Sequence, residues 1–144
     1  MSDTSSILTT ARRVIEIEAK GLAALSGAIG DGFAKAVAMI LAAKGRVIVS
    51  GMGKSGHIAR KIAATFASTG TPAHYVHPAE ASHGDLGMVT ADDVVLVLSN
   101  SGETSELSDI IAHTRRFRIP LIRDAARAES TPLRQYDIAL VLPA

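Results

Sequence analysis

A doubly wound α/β sandwich built on a parallel sheet is the fold this sequence predicts, and three observations predict it. Short β-branched runs alternate with segments of helical period along most of the chain. Those runs are continuously apolar rather than alternating, as strands buried on both faces must be. The chain has 144 residues, 47% hydrophobic, 20% charged and only 3% aromatic, which suits one domain, residues 1–144, with an aliphatic core.

From residue 4 to 29, apolar side chains recur at Leu8, Ala11, Ile15, Leu22, Leu25 and Ile29, with Glu18 interrupting the stripe. This spacing predicts a long amphipathic helix, whose stripe either packs on the same domain or, at near-heptad intervals, seals a subunit contact. Gly30-Asp31-Gly32 breaks it. A second helix over 33–43 ends at Gly45, placed as a C-terminal glycine cap would be. The period then changes. Arg46-Val47-Ile48-Val49-Ser50 is the first strand, 58–67 a helix, Gly70-Thr71-Pro72 a turn and 73–76 a second strand. Val94-Val95-Leu96-Val97-Leu98 is the third strand, 104–117 a helix, and 119–122 and 138–142 the last two strands, which makes five.

Composition narrows the function. Fifteen Lys and Arg against fourteen Asp and Glu leave a formal charge of +1, so no overall field recommends nucleic acid or an anionic membrane, and any bound anion must be held locally. The absence of Cys excludes disulfides, zinc-thiolate sites, iron–sulfur clusters and a thiolate nucleophile, and it points to the cytosol. The first ten residues are polar, without the basic start and apolar core of a secretory signal, and no apolar stretch is long enough to span a bilayer. A separate helix-turn-helix domain has no room, so a sugar-sensing transcription factor finds no support.

In open parallel sheets, ligands sit beyond the carboxyl ends of the strands, so the loops there carry the chemistry. Two stand out: Ser50-Gly51-Met52-Gly53-Lys54-Ser55-Gly56 after the first strand and Ser99-Asn100-Ser101-Gly102-Glu103-Thr104 after the third. Gly51, Gly53 and Gly56 match a dinucleotide fingerprint. That fingerprint needs a carboxylate roughly 20 residues on, and His74, Tyr75, Val76 and His77 supply none before Glu80. A phosphate loop of the nucleotide-hydrolase type would need glycine where Ile48 stands.

What remains is a pair of Gly, Ser and Thr-rich turns feeding helix N-termini, suited to a phosphate. Lys54, in the first turn of a helix, opposes the helix dipole unless an anion lies beside it. The plain alternative is a solvated lysine with Ser55 as an ordinary cap. Glu103 and Glu106 share a face at the start of the fourth helix. Asn100 with Glu103 also reads as a capping box, an explanation less complete for Glu106. His83, among glycines and small residues, is either an exposed loop imidazole or an acid–base group near neutrality. The spacings of His74, His77 and His83 match no usual metal site, and neither a metal nor a cofactor is expected. A phosphate cradle with lysine, histidine and glutamate suits proton-transfer isomerisation of a phosphorylated metabolite.

Five blocks carry a resemblance. Gly51-Met52-Gly53-Lys54-Ser55-Gly56-His57-Ile58, Ala64-Thr65-Phe66-Ala67-Ser68-Thr69-Gly70-Thr71-Pro72, Val76-His77-Pro78-Ala79-Glu80, His83-Gly84-Asp85-Leu86-Gly87-Met88-Val89 and Ser99-Asn100-Ser101-Gly102-Glu103-Thr104-Ser105-Glu106 resemble, in order and spacing, the sugar isomerase (SIS) domain of bacterial arabinose-5-phosphate isomerases. The resemblance runs from about Ala11 to the end of the chain. It implies a three-layer αβα, flavodoxin-like fold and the interconversion of D-ribulose 5-phosphate and D-arabinose 5-phosphate, which supplies the octulosonic acid (Kdo) of lipopolysaccharide or capsule in the cytoplasm. By position, Lys54, His83 and Glu106 match the family's active-site lysine, histidine and glutamate, while Gly53, Ser55, Ser99, Asn100, Ser101, Gly102 and Thr104 match its sugar-phosphate loops. The resemblance implies Glu106 for the carbon-proton transfer, His83 for ring opening or carbonyl polarisation, and Lys54 for the anionic substrate and enediolate. It also implies a homotetramer whose sites are completed by neighbouring subunits.

The chain also departs from that family. Its members continue past the fifth strand through a covering helix, reach a further active-site histidine and usually add paired cystathionine-β-synthase-type regulatory domains. None of these has a counterpart here, so the domain is expected to be truncated at its C-terminal end, with apolar surface left at 138–142. Arg123-Asp124-Ala125-Ala126-Arg127 is more charged than the small, hydroxyl-bearing loop of the family. Two hypotheses follow: an arabinose-5-phosphate-type isomerase, or a non-catalytic module that binds a sugar phosphate and has lost the chemistry.

Overall fold

Val47, Ile48, Val49, Val94, Val95 and Val97 keep at most 2% of their surface exposed, the mark of strands covered on both faces. The computed structural model describes residues 4–99, 105–125 and 136–143. In it, β1 (Val47–Gly51), β2 (Ala73–Tyr75), β3 (Val94–Ser99), β4 (Leu121–Ala125) and β5 (Ile138–Val141) form one sheet in the order β2-β1-β3-β4-β5. Every neighbouring pair is parallel, with Val47 opposite Val94 and Gly51 opposite Leu98.

Side-chain alternation along each strand divides the core in two. On one face Val47, Val49, Leu96, Leu98 and Ile122 pack against α2 (Asp31–Ala42) and α3 (Gly53–Ser68). On the other, Ile48, Val95, Val97 and Leu121 pack against α4 (Pro78–Ser82), a 3₁₀ turn at Asp85–Met88 and α5 (Ser108–Phe117). The result is a three-layer αβα sandwich with the flavodoxin-like strand order. Each fully buried Val or Ile contributes about 1.5–3 kcal/mol of transfer free energy.

Asp93 anchors the start of β3. Its carboxylate accepts from the amides of Arg46 (2.7 Å) and Thr90 (2.8 Å) and from the Thr90 hydroxyl (3.1 Å), with the Arg46 Nε at 3.6 Å. Burial alone would raise this carboxyl, but the Thr90 and Arg46 hydrogen bonds and the Arg46 charge outweigh it and hold it below the ordinary range. Arg46 also donates to the Met88 carbonyl at 2.7 Å, and the Gly45 amide to that of Asp92 at 2.7 Å.

The chain divides into two compact units, one running to Gly30 and the other from Asp31 to Leu142. The first is α1 (Thr4–Ala28), a 25-residue helix with no buried residue. Among the described residues, no single helix is long and apolar enough to cross a membrane.

Several boundaries differ from expectation for identifiable reasons. Gly45 is not among the left-handed residues and is no helix cap; a Cβ there would strike Asp92 and the Asp93 carboxylate, so close approach requires the glycine. The third helix starts at Gly53 rather than 58, because the glycine loop is itself its first turn. The fourth strand runs over Leu121–Ala125 instead of 119–122. Arg118 closes α5 in the left-handed region (φ 56°), the Ile119 amide is spent on the Thr114 carbonyl at 2.8 Å, and Pro120 has no N–H. The helix expected over 104–117 opens as a 3₁₀ turn at Ser105–Leu107 and becomes α5 at Ser108, residue 104 lying outside the described residues. β2 and β5 are edge strands and only partly buried, whereas continuous apolar runs predicted burial on both faces. Val141 and Leu142 remain exposed.

Candidate active site

The strand order reverses at β1 and β3, and there the carboxyl ends of two adjacent strands open a crevice. Only Met52 separates β1 from α3. That sharp turn depends on glycine at two close approaches. A Cβ on Gly56 would lie 2.6 Å from the Gly51 carbonyl oxygen, and one on Gly51 would lie 3.1 Å from that of Leu98. Gly53 supplies the left-handed step, φ 58°. The glycines of the fingerprint pattern therefore serve a tight strand-to-helix turn. Where a dinucleotide site would carry a carboxylate, Tyr75 instead donates to the Gly51 carbonyl at 3.0 Å and receives the Arg60 guanidinium over its ring at 4.2 Å. Burial raises the Tyr75 phenol, opposed by the Arg60 charge.

Met52, the N-cap of α3, offers no side-chain acceptor to the first-turn amides. Ser55 is inside the helix and is not the cap that the plain alternative supposed. Among the described residues no side chain caps these amides, which suits an anion there, with Lys54 exposed beside them. Lys54 and Ser55 line a cavity of about 300 Å³ whose far wall is Leu98, Ser99 and Asp124 at the ends of β3 and β4. The structure therefore brings Lys54, Ser55 and Ser99 together, with Gly53 in the same turn. Asn100, Ser101, Gly102, Glu103 and Thr104 lie outside the described residues.

His83 and Glu106 do not line that cavity. His83 caps the C-terminus of α4 with its amide on the Glu80 carbonyl (3.0 Å) and is exposed, followed by Gly84 at φ 132°. Glu106 is exposed in the 3₁₀ turn before α5. The two segments are neighbours: the Ser82 hydroxyl donates to Asp109 Oδ2 at 2.6 Å. His77 is an N-cap, its Nδ1 accepting from the Ala79 amide at 3.2 Å. Among the described residues no three His, Asp or Glu side chains gather as a metal would need.

Sequence reasoning missed Asp124, Asp109 and Tyr75 as parts of this region. For Asp124 the signal was present, since Arg123-Asp124 puts two charges into an apolar run. Burial raises the Asp124 carboxyl, and its Oδ1 is buried without a hydrogen-bond partner.

Three comparisons bear on this geometry. A family model for the SIS domain matches residues 39–144. Arabinose 5-phosphate isomerase KdsD of Pseudomonas aeruginosa is 53% identical over 130 residues, covering 90% of this chain and 40% of that protein. KdsD of Escherichia coli O157:H7 is 53% identical over 129 residues, 90% of this chain and 39% of the relative. The chain thus spans about two fifths of the length of the curated relatives it matches. Among solved structures, the c3406 protein of E. coli CFT073 in complex with arabinose 5-phosphate superposes with a TM-score of 0.90 at 37% identity, over 98% of this chain and 75% of the other.

Proposed function

The chain belongs to the SIS-domain family, and from that premise we propose that it is the sugar-phosphate-binding domain of an aldose–ketose isomerase interconverting D-ribulose 5-phosphate and D-arabinose 5-phosphate. The observation that carries this reading is the cavity shared by Lys54, Ser55 and Ser99 at the β1/β3 junction. Open first-turn amides and Lys54 hold the phosphoryl group. Glu106 removes a proton from C1 of the ketose, those electrons form the C1–C2 double bond, and the C2 oxygen takes up negative charge. Returning the proton to C2 while a hydroxyl proton moves from O1 to O2 leaves the aldehyde at C1. His83 opens the cyclic sugar or polarises the carbonyl, and Lys54 offsets the enediolate charge. The names of the KdsD relatives and of the arabinose 5-phosphate complex support this substrate pair. The same reading makes the protein a cytoplasmic homo-oligomer, tetrameric by family resemblance, and a member of the Kdo supply route for lipopolysaccharide or capsule.

One observation favours a second reading, a binding module without turnover: His83 and Glu106 stand outside the cavity that holds Lys54. Measuring interconversion of the two pentose phosphates beside the binding of each separates the readings. Turnover that Glu106→Gln abolishes while affinity persists supports the isomerase; binding without turnover supports the module.

A further inference from the structure

We propose that Asp124 reads the carbohydrate part of the bound ester, its carboxylate accepting hydrogen bonds from ligand hydroxyls while the Lys54–Ser55 turn holds the phosphoryl group. This rests on the sugar-phosphate reading of the same cavity.

The placement follows from strand register. Asp124 lies opposite Leu98 on β3 and Leu140 on β5, and two residues after Ile122, so it emerges on the face that carries α3. Its strand partners on that face are apolar, yet it stands one residue before the end of β4, against the cavity lined by Lys54 and Ser55. A leucine there would continue the packing of Leu98 and Leu140. A carboxylate instead leaves a buried oxygen without a partner, which costs stability unless something else satisfies it. Among the described residues no ion pair is seen between Asp124 and Lys54. Lys54 is thus available to an anion, while among the described residues the buried Asp124 Oδ1 still lacks a donor.

The chemistry of the missing donor is constrained. An ionised carboxylate only accepts hydrogen bonds, so a phosphoryl oxygen would be repelled. Hydroxyls suit it, and they must come from a molecule that also carries an anion for Lys54 and fits about 300 Å³. A polyhydroxylated phosphate ester meets all three conditions, bound with its ester group toward α3 and its hydroxyls toward β4. Burial raises the Asp124 carboxyl, and hydroxyl donors would favour its charged form again.

The test is calorimetric titration of the whole chain, wild type, Asp124→Ala and Asp124→Asn, with arabinose 5-phosphate and with inorganic phosphate. Removing an unpartnered carboxylate should not unfold the protein, and thermal melts of both variants check this. The expected result is an arabinose 5-phosphate affinity about 10- to 100-fold weaker in Asp124→Ala, partly restored in Asp124→Asn, whose amide oxygen still accepts, with inorganic phosphate bound as tightly as before or more so. Equal loss for both ligands, or no loss for either, overturns the role of Asp124 and leaves the sugar-phosphate reading standing. Failure of the wild type to bind either ligand overturns both.

Discussion

The Ser82 hydroxyl donates to Asp109 Oδ2 at 2.6 Å and so ties the end of α4 to the first turn of α5. His83 follows Ser82 directly, and Glu106 precedes Asp109 by about one turn. A bond between two exposed side chains adds about 1 kcal/mol at most to stability, but it sets the distance between the two proposed acid–base groups. Asp109→Ala should therefore lower kcat for pentose-phosphate interconversion about tenfold, since small misplacements of reacting groups are costly, with KM little changed. Asp109→Asn, still an acceptor for Ser82, should recover most of the rate. Steady-state kinetics of the three proteins checks this, and a parallel fall of both variants would assign the effect to the charge instead.

The two glycines of the β1–α3 turn should respond differently. Alanine at Gly56 brings a Cβ to 2.6 Å from the Gly51 carbonyl and 3.0 Å from the Tyr75 hydroxyl, so the backbone must move, at about 1–3 kcal/mol. At Gly53 nothing lies within 4 Å, and the cost is the left-handed backbone alone, roughly 1–2 kcal/mol. Gly53→Asn should recover part of it. Only Gly56→Ala should also weaken phosphate binding, because it displaces the amides that would hold the anion. Urea melts and calorimetric titration separate the two effects.

Acid stability should depend on Asp93. Its carboxyl titrates below the ordinary range in the folded chain, so its contribution is complete above the unfolded value of about 3.9 and is lost as pH falls through the folded one. Asp93→Asn should destabilise the protein at pH 7 by about 1–3 kcal/mol, and the gap to wild type should close below about pH 4. Denaturant melts at pH 7, 5 and 3 test this; a gap independent of pH would mean that the carboxylate charge is irrelevant.

β1 and β3 were legible in the sequence because continuous Val, Ile and Leu runs leave no solvent face, and all of their residues are buried. β4 was shifted because the apolar pair Ile119-Pro120 looks like strand, while the deciding events are the left-handed Arg118 and the diverted Ile119 amide. Charge hid the rest: Arg123 and Asp124 discourage a strand reading, yet Arg123 is 4% exposed, facing the Tyr136 ring at 5.0 Å. At the candidate site, local pattern identified the Lys54 turn, since glycine, lysine and strand-to-helix context are contiguous. The pairing of Ser82 with Asp109, 27 residues apart, and the cavity wall at Asp124 arise from tertiary placement alone.

Ile7, Leu8, Val14, Ile15, Ile17 and Leu22 are each between 50% and 68% exposed, although burying such a side chain is worth about 1.5–3 kcal/mol. Ile15 and Leu22 are one heptad apart, the spacing that aligns side chains along a helix pair. Large apolar side chains left exposed along one helix point to an association surface. The protein should therefore self-associate through α1, and Ile15→Lys with Leu22→Lys should drive it toward monomer, because two buried ammonium groups would each lack a partner. Light scattering behind a sizing column reads the mass, and circular dichroism verifies that the helices and sheet persist. A wild-type monomer at micromolar concentration would show that the exposed stripe serves something other than self-association.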